Sequence, residues 1–510
     1  MRLEKVARVG ARLHGAGKFP EAEAVYRSAL ARHPHASPLW TSLGNTLKGQ
    51  RRFDEAIAAH LGALERNPDF VEAWSNLGLT YQAAGRLDEA VMALAQAVAR
   101  RPQEPTLQHN LGSALCLRGD FEAASAACFA ALELAPGLVP AHLTFATALK
   151  ELGHNDDAIA VLRAAAEIEP DNADVHWNLG LSLLLEGCLA EGWAEIEWRR
   201  HIAGLDTAYQ AGARARAALW QGEPLAGRAI TLVAEQGLGD TLQLIRFAPL
   251  VKARGAGQVR IVAQPRLERL LRAAPALADA SDCAGWSAFA ERAAGEAEAG
   301  AEGAALFAPL FSLPRLCGGS DPGARPAPAR YLAAEPALVE AWARRLGPRT
   351  GLRVAIAWQG NPQYRADQRR SLALSHFLPA LRVPGVEVVS LQKGFGAEQL
   401  AGLPADVRVR DVGPLLDTGP DAFVDTAAAL MHVDLLLTSD TSLPHLGGGL
   451  GREVWLLLPA VPDWRWGRSG VQTPWYPGMR LYRQPQAGDW TAVIARVAEA
   501  LAARVAESRS

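Results

Sequence analysis

The sequence predicts a two-part protein, with a helical repeat solenoid over residues 1–203 and an α/β half made of two parallel-sheet domains, 204–345 and 346–510. The first observation is a 34-residue period in the opening part of the chain. The second is a later alternation of short apolar strands, glycine turns and amphipathic helices. At 510 residues the chain is also too long for a single core.

Composition excludes several classes of function. The formal net charge is −2 and no basic stripe is present, which argues against nucleic-acid binding. No run of about 18 apolar residues occurs and the N-terminal stretch lacks an apolar core, so we expect no membrane span, no signal peptide and a cytoplasmic location. The 5 cysteines are scattered without CxxC spacing, so we expect neither disulfides nor a zinc site.

Small residues mark the repeat. Glycines recur every 34 residues, with alanine in one place: Gly10, Gly44, Gly78, Gly112, Ala146 and Gly180. Alanines and prolines keep the same period: Ala22, Ala56, Ala90, Ala124 and Ala158; Ala29, Ala63, Ala97, Ala131 and Ala165; Pro34, Pro68, Pro102, Pro136 and Pro170. Small side chains let two antiparallel helices touch, and proline starts the turn to the next pair. Each unit is therefore predicted to be a helical hairpin.

Tryptophans complete a resemblance to tetratricopeptide repeats that covers about residues 3–200. We assign Trp40, Trp74 and Trp177 to one shared position just before the glycine. Five repeats are complete. The sixth keeps Gly180 but departs at EGWAEIEWRR, where Gly192 replaces the expected alanine. This departure predicts a cap that docks onto the following domain.

A polar column is predicted to line the groove of the solenoid. Asn76, Asn110 and Asn178 share one repeat position, and Ser42 and Thr144 fill the other two places. A side-chain amide satisfies both the N–H and the C=O of an extended peptide. The column resembles the asparagine ladder of the protein O-linked N-acetylglucosamine transferases, which implies capture of a protein acceptor. The alternative is that these asparagines are solvated or cap neighbouring turns.

Two strand–helix sets follow the repeats. The first opens with a strand, a glycine turn and a helix from Ala229, and continues with a strand at Val259–Gln264. The stretch from Ala288 to Arg330 is predicted to mix loops with one strand. The second set begins with a strand at Leu352 and ends in an amphipathic helix, Trp490–Ala502. Both sets are predicted to be Rossmann-like domains.

The segment from Met431 to Pro459 is the likeliest binding site in the sequence. Strands are expected at Val433–Leu437 and Val454–Leu458, with a short helix between them. Hydroxyls and free N–H groups at Ser439–Ser442 would meet at the helix start, a position that favours an anion.

Histidine and glycine extend this expectation. His445 follows Thr441 by four residues, which would place both on one helical face. Gly447–Gly449 would allow a ligand to approach closely. The alternative is that Asp440 only caps the helix and the glycines only permit tight packing.

The turn EQGLGD is the counterpart of this segment in the first domain, with Gly237 and Gly239 in the turn and Asp240 starting the helix. A third glycine at the spacing of a dinucleotide fingerprint is missing, which argues against a nicotinamide dehydrogenase.

Several motifs together resemble bacterial tetratricopeptide-repeat glycosyltransferases: EQGLGDTLQ, AWQGNP, RRS, SLQKG, SDTSLPHLGGGLG and PDWRWGRSGVQTPWYPG. These are related to the heptosyltransferases and share the two-domain GT-B architecture with the O-linked transferases. The resemblance implies a nucleotide-sugar donor on the C-terminal domain, as substrate rather than cofactor. It also implies an acceptor that enters from the N-terminal domain.

The same resemblance assigns residues to roles. Those expected to hold the donor's diphosphate and nucleotide are Arg370, Ser371, Lys393, Asp440, Thr441 and His445. Asp240 matches the aspartate near the acceptor hydroxyl and is the candidate base; its alternative role is a helix cap. No metal-binding carboxylate pair is evident, so we expect metal-independent transfer, with cations offsetting the charge of the leaving group.

An aromatic segment follows the last predicted strand pair. Trp464, Trp466, Trp475 and Tyr476 either stack on a base or sugar, or pack in the core or between domains.

The leading hypothesis is an inverting GT-B glycosyltransferase that modifies a protein captured by the repeats, flagellin being one acceptor that related bacterial proteins modify. The alternatives are sugar transfer to a lipopolysaccharide or other saccharide precursor, and an inactive scaffold.

Overall fold

A computed structural model describes residues 3–214, 216–280, 305–318, 330–363 and 367–507. The chain divides into two compact units, Met1–Asn178 and Leu179–Ser510. The division falls inside the helix Ala173–Glu186. Within the described ranges, no helix has both the length and the apolar character needed to cross a membrane.

The first unit is a solenoid of helical hairpins, as the 34-residue period predicts. Its helix pairs are Leu3–Gly15 with Phe19–Leu30, Ser37–Gly49 with Phe53–Arg66, Val71–Ala83 with Leu87–Arg100, Pro105–Arg118 with Phe121–Leu134, and Val139–Glu151 with Asn155–Ile168. The prolines of the repeat lie in the turns between successive pairs. The predicted tetratricopeptide-repeat solenoid is confirmed.

The column glycines are needed because the two helices of a pair touch at these positions. A Cβ added at Gly78 would lie 2.5 Å from Leu94 Cγ, and one at Gly112 would lie 2.5 Å from Cys128 Sγ. The first alanine column is fully buried in all five repeats. At these two glycines a side chain larger than hydrogen would push the pair apart.

The tryptophan position needs a correction in the last repeat. The indole N–H groups of Trp40 and Trp74 donate to Pro34 O and Pro68 O, at 2.9 and 2.8 Å. In the last repeat the corresponding contact is made by His176, whose ring nitrogen lies 2.7 Å from a proline carbonyl. Trp177 is one residue further along, so its assignment to this position was wrong.

The sixth hairpin departs from the repeat as predicted. Its second helix is only Leu189–Ile196 and continues as a 3₁₀ helix, Glu197–His201. A Cβ on Gly192 would lie 2.8 Å from Leu184 Cγ, so glycine is needed there. Trp193 is fully buried and meets Trp464 edge-on, with ring centroids 5.1 Å apart. The segment is therefore a docked cap within the second unit.

The first lobe of the second unit is built on a parallel sheet in the order β1-β4-β2-β3. The strands are β1 (Ala218–Leu219), β2 (Ala229–Val233), β3 (Gln258–Val262) and β4 (Leu306–Pro309). Its helices are Thr207–Arg214, Leu238–Leu244, Ala248–Ala253, Glu268–Arg272 and Leu313–Leu316, with 3₁₀ turns at Ile245–Phe247, Pro265–Leu267, Pro275–Ala280 and Leu310–Ser312. Strand β4 is the one strand expected between residues 288 and 330; much of the remainder of that stretch lies outside the described residues.

The second lobe holds a six-stranded parallel sheet in the order β7-β6-β5-β8-β9-β10. The strands are β5 (Leu352–Ala357), β6 (Val386–Ser390), β7 (Val409–Asp411), β8 (Leu435–Ser439), β9 (Val454–Leu458) and β10 (Met479–Arg483). Counted from β5, this is the doubly wound order 3-2-1-4-5-6 of dinucleotide-binding folds.

The helices of the second lobe cover both faces of that sheet. They are Pro336–Leu346, Asp367–Arg370, Leu378–Leu381, Val424–Leu430, Leu443–Gly449 and Trp490–Glu507, with 3₁₀ turns at Leu374–Phe377, Ala397–Gly402, Gly413–Leu415 and Trp464–Trp466. The helix Pro336–Leu346 contacts this lobe, since the Trp342 indole donates to Asp425 at 2.8 Å. The lobe boundaries at residues 203 and 345 stay predictions.

Two predicted ends in the second lobe were displaced. Strand β8 begins at Leu435 and not at Val433, because Val433 still bonds to Leu430 O in the turn after the preceding helix. The terminal helix extends beyond Ala502 to Glu507, with Val505 still buried in the core. Strand β9 matches its prediction.

Candidate functional site

The site lies at the carboxyl edge of the second sheet, between β5 and β8. These neighbouring strands lead in opposite directions through the doubly wound order, so their ends form the switch point where such sheets bind ligands. Trp358–Gly360 follows β5, and Asp440 and Thr441 follow β8. The segment singled out in the sequence thus lies at the edge where sheets of this order bind ligands.

The EQGLGD turn of the first lobe meets this edge. A Cβ on Gly239 would lie 3.3 Å from both Ser442 Oγ and His445 Cδ2. The two turns after β2 and after β8 are therefore in contact, and glycine permits their close approach.

The Asp240 carboxylate contacts its own turn and the 3₁₀ turn Trp464–Trp466 of the second lobe. One carboxylate oxygen accepts from the Gly237 N–H at 2.8 Å, and the other is paired with the guanidinium of Arg465. The helix begins at Leu238 with Gly237 as its N-cap, so Asp240 does not start it but caps it from the third helical position. Burial raises the pKa of Asp240, and Arg465 opposes the rise.

Asp440 is only 7% exposed. It does not cap the helix, although the alternative interpretation of the sequence gave it that role. The helix begins at Leu443, with Ser442 before it. Burial, followed by the charge of Asp463, raises the pKa of Asp440 to about 7, while Arg370 opposes the rise. At neutral pH this carboxyl group is therefore partly protonated.

Thr441 and His445 do not share a helical face, because Thr441 precedes the helix. Its hydroxyl accepts instead from the Leu443 N–H at 3.4 Å. His445 is buried, with Nδ1 2.9 Å from Tyr476 Oη and its ring stacked on Trp466 at 5.4 Å between centroids. Burial, with Arg465 in addition, holds the pKa of His445 well below its usual range, so the imidazole is neutral.

The three glycines permit close packing of the helix Leu443–Gly449. A Cβ on Gly448 would lie 2.2 Å from Tyr476 Cδ1, and one on Gly449 would lie 2.7 Å from Leu332 Cδ1. A Cβ on Gly447 would lie 2.9 Å from a methyl group of Val454. These close contacts agree with the packing role, and the approach of a ligand stays a prediction.

Arg370 and Ser371 lie beside the end of β5, held by the buried carboxylate of Asp367. That carboxylate accepts from Arg370 Nε at 3.1 Å and from Ser371 Oγ at 2.8 Å. Ser371 Oγ in turn accepts from the Gly360 N–H at 3.0 Å. Because Arg370 lowers the pKa of both Asp440 and His445, its charge acts on the same corner.

Lys393 is occupied elsewhere. Its ammonium donates to Leu416 O at 2.7 Å and to Asp417 O at 2.6 Å, and so holds the turn that follows β7. No contact places it beside Asp440 in the described part of the site.

Arg465 was not predicted as a site residue, yet it ties the two lobes together. It pairs with Asp240 and Asp463 and donates to Gln243. The available signal was a single arginine between two tryptophans in PDWRWG. Of the aromatic residues of that segment, Trp464, Trp466 and Tyr476 are buried and Trp475 is half-buried.

The asparagine column bonds partly to its own helices. The amides of Asn76 and Asn178 donate to Glu72 O and Asp174 O, each at 2.8 Å. The Ser42 hydroxyl bonds in the same way to Pro38 O at 2.9 Å. These contacts use one donor of each amide, and the peptide-binding role stays a prediction.

Comparison with known proteins supports the repeat assignment in the first part of the chain. Family models described as "Tetratricopeptide repeat" match residues 41–105 and 77–139, and one described as "TPR repeat" matches residues 146–187. The molecule thus combines an N-terminal tetratricopeptide-repeat array with a C-terminal region of parallel sheets and helices.

A similar curated protein is Protein FlbA of Caulobacter vibrioides, 30% identical over 353 residues. The match covers 62% of this chain and 53% of FlbA, so the chain spans about half the length of this relative.

Similar solved structures include MamA, which is 24% identical with a TM-score of 0.29; the match covers 31% of this chain and 91% of MamA. YrrB is 20% identical with a TM-score of 0.30, and the match covers 35% of this chain and 92% of YrrB. TTC0263, a protein of Thermus thermophilus, is 22% identical with a TM-score of 0.31, and the match covers 36% of this chain and 98% of TTC0263.

Proposed function

We propose that this protein is a GT-B glycosyltransferase that moves a sugar from a nucleotide-sugar donor to a protein acceptor held by the repeat array. One observation carries the proposal. Two strand-end turns, one from each parallel sheet, meet at Gly239 and His445, with a carboxylate on the first and an arginine–aspartate corner on the second. Acceptor and donor chemistry can share such a junction.

The donor side is the corner of Arg370 and Asp440. Departure of the nucleoside diphosphate leaves negative charge, which a fixed guanidinium stabilises. A carboxyl group with a pKa of about 7 holds a proton in part of the molecules at neutral pH. In that form it donates a hydrogen bond to a phosphate oxygen instead of repelling it. Ser371 and Thr441 add hydroxyls beside the two strand ends.

The acceptor side is Asp240. The acceptor's hydroxyl oxygen attacks the anomeric carbon, and its proton passes to the carboxylate of Asp240. The bond from the anomeric carbon to the phosphate oxygen breaks, and its electron pair leaves with the nucleoside diphosphate. The raised pKa of Asp240 suits a base that must accept a proton.

The repeat array supports a protein acceptor over a saccharide precursor, because a five-hairpin solenoid offers a long groove that a small acceptor does not need. Metal-independent transfer remains part of the proposal.

The experiment is release of nucleoside diphosphate from a panel of nucleotide sugars by the full chain, with and without a cell extract as the source of acceptors. The proposal requires one donor whose turnover the extract stimulates, with the sugar recovered on protein. Turnover of no donor, or sugar recovered only on lipid or saccharide, would rule the proposal out.

A scaffold without transferase activity is the second candidate. This candidate is favoured because two residues predicted to bind the donor make contacts within the protein instead. His445 bonds to Tyr476, and Lys393 bonds to two main-chain carbonyls. The same panel decides, because a scaffold would release no diphosphate.

A further inference from the structure

A buried arginine joins the docked cap to the first lobe. Arg199 lies in the 3₁₀ helix that follows the sixth hairpin and is 0% exposed. Its Nε and Nη2 donate to the two carboxylate oxygens of Glu235, each at 3.1 Å. Nη2 also donates to Ser312 Oγ at 2.9 Å, and Nη1 donates to Ile196 O at 3.1 Å. A two-point pair of this kind fixes orientation as well as distance.

Glu235 is the residue from which the EQGLGD turn departs. It follows the end of β2 and is held further by the Phe311 N–H, at 3.2 Å. The next residue, Gln236, has a φ of 57°, a left-handed conformation that costs energy for a residue other than glycine. Surrounding contacts must hold such a backbone in place. Arg199 supplies the strongest of them at Glu235, and Gly237 then presents its N–H to Asp240.

The cap also reaches the second partner of Asp240. Trp193 packs edge-on against Trp464, and the guanidinium of Arg465 lies 4.3 Å from the centre of the Trp464 ring. Arg465 then pairs with Asp240. The cap therefore supports Asp240 from both sides, through Glu235 and through Arg465.

We propose that Arg199 is a positioning residue for Asp240, so that the last hairpin of the repeat array is part of the transferase site. This inference rests on the proposed function for its kinetic consequence but not for its structural one. It also has a practical consequence: a chain shortened to begin near Gly204 loses Trp193 and Arg199 and leaves Glu235 buried without its partner. Shortening the chain there would damage the site itself.

The test compares Arg199→Lys with the wild-type full chain. Lysine keeps the charge but lacks the planar fork, so it cannot hold both oxygens of Glu235 at once. Arg228→Lys is the matched control, because Arg228 pairs with Glu223 on the surface of the same lobe. Hydrogen exchange of residues 236–240 is measured beside that of β3, together with kcat and the donor KM.

In Arg199→Lys we expect exchange of the turn to rise about tenfold while β3 is unchanged. We expect kcat to fall by roughly 10²-fold with an unchanged donor KM. Unaltered exchange of the turn, or an equal rise in β3, overturns the proposal. If the lysine variant does not fold, Arg199→Met combined with Glu235→Gln removes both buried charges and is judged by the same exchange criterion. A wild type that transfers no sugar would refute the proposed function and leave the exchange result decisive.

Discussion

Six charged side chains define the site at the scale of residues. Three arginines lower the pKa of His445: Arg246, Arg370 and Arg465. Three aspartates raise the pKa of Arg465: Asp240, Asp440 and Asp463. When all six are ionised, three positive charges balance three negative ones. Protonation of Asp440 leaves one positive charge in excess among them, so the corner is best suited to an anion when Asp440 holds its proton.

Asp240→Asn tests the base. We expect turnover to fall by roughly 10²–10⁴-fold, because an amide cannot take the acceptor's proton. Donor affinity should be kept, since Arg370 and Asp440 are unchanged. Initial rates and calorimetric titration measure the two quantities separately. Turnover close to that of the wild type would leave Asp240 only its role as a helix cap.

Asp440→Asn tests the raised pKa. The folded state holds this proton up to about pH 7, whereas a free aspartic acid loses it near 3.8. Asp440 therefore stabilises the wild type fully below about pH 4, and this contribution is lost as the pH rises through 7. The Tm of the variant relative to the wild type should rise from pH 4.5 to 7 and then level off.

The exposed Asp69→Asn serves as the control for this titration, since that carboxylate is 88% exposed. A Tm difference between Asp440→Asn and the wild type that does not vary with pH would show that Asp440 titrates normally.

At the scale of residues, prediction placed the residues at the strand end but missed a partner that is distant in sequence. Asp440, Thr441 and His445 are placed at the strand edge because a strand and a short helix flank them. Arg465 was missed because its partner Asp240 lies 225 residues away. The cap role of Asp440 was wrong because two more residues precede the helix, which only the backbone conformation reveals.

At the scale of elements, glycines decide how closely two elements approach. Along the solenoid, glycines let paired helices touch. Glycines in the helix Leu443–Gly449 let that helix pack against Tyr476 and Leu332. The repeat was predictable because small residues recur at each contact. The first residue of β8 was not predictable, because an apolar run does not show where the preceding turn ends.

Gly448→Ala tests the packing role. Its new methyl group would overlap the ring of Tyr476, which bonds to His445. We expect a loss of about 1–3 kcal/mol in the free energy of unfolding, measured by denaturant titration. Gly402→Ala is the matched control, since no atom lies within 4 Å of its added Cβ. Equal stability of the two variants would contradict the packing account.

At the scale of the whole molecule, the proposal separates acceptor capture from donor binding. The asparagine column lies in the repeat array, and the donor corner lies in the second lobe. Sites that share no contacts contribute nearly independently to binding free energies. The period and the strand pattern predicted both halves of the chain, whereas the contact between the two turns depends on tertiary packing that no local pattern encodes.

Replacing Asn76, Asn110 and Asn178 together with alanine tests the groove. Each lost hydrogen bond costs about 0.5–1.5 kcal/mol, so acceptor affinity should fall by one to three orders of magnitude. Donor hydrolysis should not change. The control changes three exposed turn residues of the same period, His35, Gln103 and Asp171, to alanine. Equal transfer to protein by both triple variants would exclude the column from acceptor binding.

On the proposed function, the carboxyl edge of the second sheet binds a nucleoside diphosphate at Arg370. Calorimetric titration of the full chain with UDP, GDP, ADP and dTDP tests it most directly, with Arg370→Ala and its exposed neighbour Arg369→Ala compared side by side. We predict that one nucleotide binds the wild type and Arg369→Ala equally, and that Arg370→Ala weakens it by about 1.5–3 kcal/mol. Absence of binding to the wild type, or equal affinity in all three proteins, would contradict the account.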